Sequence, residues 1–197
     1  MKKFLSSTFF LLIFFSNISK VYSIEADVFV QSTVNRASQA LSDKFSKEEK
    51  IEKLKQIATD AVDIKGIAFY TLGSHRKTIG SEQLKEYHIL FKEYFLKSFS
   101  SRLAEYTNPE IEVKNKKVLS ENYTIVSSVL IGTAERPEVK IDWRVYTKDA
   151  NNPLIRDLII EGLSLARTQK EEFSSIMQNN NGDINALFRA LEDFTSK

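Results

Sequence analysis

Apolar positions recur every three or four residues through the first half of the chain. Through most of the second half they recur every second residue. Asp27 to Leu41 sets Val30, Val34, Ala37 and Leu41 at helical spacing. Ser46-Lys47-Glu48-Glu49 reads as a capping box, in which the Ser hydroxyl accepts a backbone N–H and Glu49 reaches back to the cap. The helix it opens carries Ile51, Leu54, Ile57, Ala58 and Ala61. A third, shorter helix is predicted from Asp63 to Leu72, ended by Gly73, which suits a left-handed C-terminal cap. The longest helical pattern runs from Ser81 to Tyr106 through Leu84, Tyr87, Phe91, Tyr94, Phe95, Phe99, Leu103 and Tyr106. Ile89, Leu90 and Leu96 lie outside that stripe, so this helix has to contact more than one neighbour.

After Asn108-Pro109 the period becomes two. Glu110 to Leu119, Asn122 to Thr133, Glu138 to Thr147 and Leu154 to Glu161 read as strands joined by short polar links. Such links favour an antiparallel meander. In the third strand Ile141, Trp143 and Val145 face one way, and Asp142, Arg144 and Tyr146 the other. Helices are expected again from Arg167 to Gln178 and Asp183 to Thr195, split by the turn Asn179 to Gly182. Helices, then a meander, then helices give an α+β class: one antiparallel sheet wrapped by helices.

Composition changes this picture at the N-terminus. Met1-Lys2-Lys3 precedes the almost wholly apolar Phe4 to Phe15, and a polar stretch ends at Val21-x-Ser23. That is the layout of a secretory signal peptide, and the run is too short for the roughly 20 residues that span a bilayer. Cleavage after Ser23 would leave a single exported domain of residues 24–197. The overall charge of +2 then misleads, because residues 1–23 hold three Lys and no acid. The remainder carries 25 basic and 26 acidic residues, without the clustered positive charge that nucleic acid requires. There is no Cys, so disulfides, thiol nucleophiles and Cys-based zinc sites are excluded.

Catalytic chemistry finds little purchase. His75 and His88 lack partners at the i, i+4 spacing of helical metal pairs. Gly162-Leu163-Ser164-Leu165-Ala166 imitates a nucleophile elbow, but no His follows Ser164 and a meander is the wrong sheet for it. Ser164 reads better as a helix cap or turn hydroxyl. No carboxylate pair stands out and no Gly-rich phosphate loop exists. The sequence therefore predicts no catalytic residue, no metal site and no cofactor, and a protein that is not an enzyme.

The block from Arg156 to Phe173 carries a resemblance. Asp157, two or three aliphatics, Glu161-Gly162-x-Ser164-Leu165, a short polar run, Lys170 and Phe173 resemble the signature of the MlaC family, also called toluene- or organic-solvent-tolerance auxiliary proteins. Tyr70-Thr71-Leu72-Gly73 followed by Arg76-Lys77 is similar to that family's Leu-Gly-then-basic turn. Phe91 to Tyr106 resembles its long helix, and Asn181-Gly182-Asp183 with Leu187 and Leu191 its terminal helix. The similarity spans about residues 26–194. The chain departs at Pro153-Leu154, where many relatives place Trp, and at Thr168-Gln169-Lys170, where many have Asn-Tyr-Arg.

The resemblance implies a nuclear-transport-factor-like fold around a hydrophobic cavity. It also implies a periplasmic phospholipid carrier between outer and inner membranes, maintaining outer-membrane lipid asymmetry. Its implied partners are an inner-membrane ABC transporter with a membrane-anchored ring protein, and an outer-membrane lipoprotein complex. A ring lipid such as a hopanoid, or an enzyme on the same cone-shaped fold, are the alternative readings. Given a cavity, the apolar helix and the strand alternation nominate Phe91, Phe95, Leu130, Trp143, Val145, Leu158 and Ile160 as its lipid-binding wall.

Overall fold

The computed structural model describes residues 24–134 and 136–197, so the expected signal peptide lies outside the described residues. Six helices and five strands follow in the order the periodicity implies. α1 (Ala26–Ala40), α2 (Lys47–Ala61), α3 (Ile64–Thr71) and α4 (Ser81–Leu103) come first. Strands β1 (Ile111–Ser120), β2 (Tyr123–Leu130), β3 (Val139–Tyr146), β4 (Leu154–Ile160) and β5 (Leu163–Ser164) lead to α5 (Leu165–Gln178) and α6 (Ile184–Ser196). The sheet is an antiparallel meander in the order β1-β2-β3-β4-β5. The α+β expectation holds.

Local signals form where the sequence places them. Ser46 accepts from the Glu49 N–H while the Glu49 carboxylate accepts from the Ser46 N–H, and these bonds hold the Glu49 carboxyl below its usual range. Gly73 takes φ +58° just past α3, and a 3₁₀ turn, Gly73–Lys77, follows. Two differences have tertiary causes. β2 stops at Leu130, short of the expected Thr133, because the chain folds back tightly: a Cβ on Gly132 would lie 2.8 Å from the Glu138 backbone nitrogen. α5 starts at Leu165, two residues earlier than expected, because the buried Asp157 carboxylate on β4 accepts from the Ala166 N–H at 3.0 Å.

Register assigns the two faces of the sheet. Val126, Ser128 and Leu130 on β2 stand opposite Trp143, Ile141 and Val139 on β3. Trp143 and Ile141 in turn stand opposite Leu158 and Ile160 on β4. α1 covers part of this face: Val30 and Val34 pack with Val126 and Val145, joined by Phe29, Ile111, Val113 and Trp143. Tyr123, Ile125, Ser127 and Val129 point to the opposite face with Tyr146, Arg144, Asp142 and Lys140.

The apolar interior falls into three separate clusters. One is the α1–sheet contact. A second joins α3, α4, α5 and α6 through Leu72, Tyr87, Phe91, Phe173, Met177, Leu187 and Leu191. The third sits where Leu41, Leu54 and Ala104 bring the C-terminal ends of α1 and α4 against α2. The helical cluster contains no strand residue, and on this sheet face full burial is reached at Val126, Val145 and Ile155 while the neighbouring apolar side chains are only half-buried.

Candidate functional site: an unclosed apolar strip

On α4 the i, i+4 spacing stacks Tyr87, Phe91, Phe95 and Phe99 into one ladder. Successive ring centroids lie 5.8, 6.1 and 5.6 Å apart. The lower rungs are core. Tyr87 is fully buried, its hydroxyl 2.7 Å from Thr71 Oγ1, and burial pushes its phenol well above the usual range. Phe91 is 1% exposed and meets the Phe173 ring edge-on at 6.1 Å. The upper rungs, Phe95 and Phe99, are only half-buried. The principal packing partners of α4 are α2, α3 and α6, none of them a strand.

The sheet shows the same gradient. Val126, Val145 and Ile155 are buried, whereas Leu130, Ile141, Trp143, Leu158 and Ile160 on the same face are only half-buried. Polar atoms within the strip are satisfied internally. Trp143 Nε1–H donates to Ser128 Oγ at 2.8 Å, and that hydroxyl donates to the Ile141 carbonyl at 3.2 Å. What the strip offers outward is therefore carbon. Past Phe99 the chain runs through Ala104 and Asn108, whose N–H donates to the Leu41 carbonyl, into Ile111 opposite Leu130.

Of the seven nominated residues, Phe95, Leu130, Trp143, Leu158 and Ile160 lie along this strip and ladder. Phe91 and Val145, at 1% and 0% exposure, are packed core and present no accessible surface. The nomination passed over Phe99 and Ile141, which carried the same periodic signal as their chosen neighbours.

The signature block proves to be a joint between β4 and α5. Glu161 (φ +49°) and Gly162 (φ +83°) are both left-handed, as a two-residue hairpin turn between twisted strands requires. Glu161 exchanges backbone and side-chain hydrogen bonds with the Lys140 main chain. Ser164 caps α5 by accepting from the Arg167 N–H, and donates its own hydroxyl proton to Asp157 at 2.6 Å. Its proton is thus committed to a carboxylate in a structural cap, as the sequence reading expected of this hydroxyl. Arg156 joins sheet to helix by donating to the Asp63 carboxylate, itself the cap of α3, and to the Tyr123 hydroxyl. At the departing Gln169, the side chain accepts from the Tyr94 hydroxyl at 2.8 Å, tying α5 to α4.

His88 is half-buried, its Nε2 has no hydrogen-bond partner, and burial together with the Lys65 charge lowers its pKa. Among the described residues no His, Asp and Glu group could hold a metal ion.

The same architecture occurs in a solved structure of a phospholipid-binding protein from Ralstonia solanacearum in complex with a phospholipid. The two chains are 20% identical and superpose with a TM-score of 0.73, covering 88% of this chain and 98% of that one. No curated protein matches the sequence. The model of the MlaC protein family matches residues 30–193, from α1 into α6, and the chain belongs to that family.

Proposed function

We propose that this protein is a periplasmic phospholipid carrier whose acyl chains lie between the aromatic ladder of α4 and the apolar strip of the sheet. The observation that carries the reading is the strip itself. Five large apolar side chains on three strands share one face, are only half-buried and have their few polar atoms satisfied from within. A folded chain gains roughly 25 cal/mol for each Å² of apolar surface it buries, so an uncovered strip beside a covered one is a place for a ligand. Phe95, Phe99, Leu130, Ile141, Trp143, Leu158 and Ile160 form the wall, with Phe91 and Val145 bracing it. Family membership and the phospholipid-bound neighbour of the same fold support the ligand class.

The carrier works between the outer and inner membranes. It is exported with residues 1–23 removed, and it exchanges lipid with an ABC-type transporter, its membrane-anchored ring, and an outer-membrane lipoprotein complex. Energetics demand contact at each exchange. A diacyl lipid carries on the order of 30 methylenes, each worth roughly 0.8 kcal/mol on leaving water, so release through solvent would cost about 20 kcal/mol or more. An apolar seat need only match the bilayer, and docking supplies a dry path between the two.

The test is transfer of labelled phospholipid from the exported protein to vesicles with and without the reconstituted inner-membrane transporter. Transfer accelerated by the transporter supports the carrier. Equal rates to bare vesicles, independent of acceptor concentration, refute exchange by docking.

A further inference from the structure

The Leu-Gly-then-basic turn lies outside the apolar strip, and the lipid seat does not account for it. From Ile64 to Ser81, through α3 and the 3₁₀ turn, the chain carries Lys65, Arg76 and Lys77 and no acid. Phe69 and Tyr70 on α3 are 43% and 39% exposed, large rings left in water beside a well-packed core. A cation lies over each. The Arg76 guanidinium carbon is 5.8 Å from the Phe69 ring centre, and Lys170 Nζ is 5.5 Å from that of Tyr70. The Lys170 stem passes close over Gly73, where a Cβ would lie 3.3 Å from Lys170 Cε. Lys65 precedes Phe69 by one helical turn and shares its side of α3.

These cations are not matched by acids. Among the described residues none of Lys65, Arg76, Lys77 and Lys170 forms an ion pair, whereas nine other Lys and Arg side chains do. The carboxylates closest in sequence are largely occupied. Asp63 is held by Arg156, Glu82 by Lys85, and Glu172 accepts from Gln169, with Glu171 left unpaired. Exposed aromatic rings with unpaired cations laid over them match the boundary of an anionic bilayer. Rings there settle at the headgroup level, while long cationic stems reach the phosphates. A packed protein interface would instead deplete Lys at its centre.

We propose that the surface formed by Lys65, Phe69, Tyr70, Arg76, Lys77 and Lys170 docks this protein on anionic lipid bilayers. The contact is independent of what the apolar strip holds. Without these four cations the rest of the exported chain carries 21 basic against 26 acidic residues, so an anionic surface repels the remainder and this patch orients the encounter.

Flotation of the exported protein with phosphatidylcholine vesicles, with and without phosphatidylglycerol, tests this. The protein should float with the anionic vesicles alone and be released by added salt. Arg76→Gln with Lys77→Gln should lower partition about 30-fold, at about fivefold per cation removed. Lys44→Gln with Lys148→Gln, the same charge change at exposed sites elsewhere, should leave it unchanged. Phe69→Ser should weaken binding at every salt concentration. If the double variant melts early, Lys77→Gln alone, at a side chain without a hydrogen bond or ion pair among the described residues, should still lose about fivefold. Failure of the wild-type protein to float overturns the proposal, as does equal loss in the control variant. Binding of polyglutamate without binding of vesicles overturns it in favour of an acidic protein partner. None of these readings depends on lipid exchange, so they separate this surface from the carrier function.

Discussion

Truncating the three phenylalanines of α4 one at a time separates wall from core on a single helix. Phe91 is fully packed, in ring contact with Tyr87, Tyr94, Phe95 and Phe173. Phe91→Ala should cost about 3–5 kcal/mol, the range for a buried aromatic. For a domain of this size that lowers Tm by about 6–20 °C. Phe99 has Phe95 as its ring neighbour and is half-buried, less sealed than Phe91. Partial burial of a Phe gives about 1–2 kcal/mol for Phe99→Ala, a Tm fall of about 2–8 °C. Phe95→Ala should fall between. Lipid content should run the other way, with Phe95→Ala and Phe99→Ala losing co-purifying lipid and Phe91→Ala retaining it in whatever fraction folds. Calorimetry and quantitative lipid extraction on the same preparations supply both axes. If Phe99→Ala is as destabilising as Phe91→Ala and lipid content is unchanged, Phe99 is core and the ladder does not line a seat.

The β4–α5 joint and the helical core allow sharper single-site expectations. Asp157→Ala removes a buried acceptor from the Ser164 hydroxyl and the Ala166 N–H, and should cost about 3 kcal/mol by urea denaturation; Asp157→Asn, keeping one carbonyl, should cost about half that. Gly162→Ala meets no steric obstacle but places a side chain at φ +83°, so about 1–2 kcal/mol should be lost, with unfolding still two-state. His88, whose folded pKa lies below the unfolded value of about 6.5, contributes its full stability above that pH. Stability should therefore fall as pH drops below about 6.5 toward the folded value, and His88→Asn should flatten that slope.

Local codes were readable from sequence because they are closed within a few residues. The Ser46–Glu49 box, the Gly73 terminator and the alternation of Ile141, Trp143 and Val145 each needed only neighbours along the chain. The start of α5 did not: Leu165 and Ala166 become helical because Asp157, eight and nine residues earlier, presents a buried carboxylate across the β4–β5 hairpin. β5 itself, two residues long, is too short to show a period. The site was half legible for the same reason. Phe91 and Phe95 are equivalent in periodicity, but Phe173 arrives from α5 over Phe91 and seals it, while Phe95, packed against the same cluster, stays half-buried. Val145 and Trp143 likewise alternate alike, yet α1 closes over Val145 and leaves Trp143 half-exposed.

The central claim is that the apolar strip seats acyl chains. Mass spectrometry of lipid extracted from the exported protein, beside the same extraction from a Leu158→Asp variant that places a carboxylate on the strip, tests it most directly. The account predicts diacyl phospholipid in stoichiometric amount with the wild-type protein and its loss from the variant. A wild-type protein free of lipid, a ring lipid in place of a diacyl one, or phospholipid retained unchanged by the variant would contradict it.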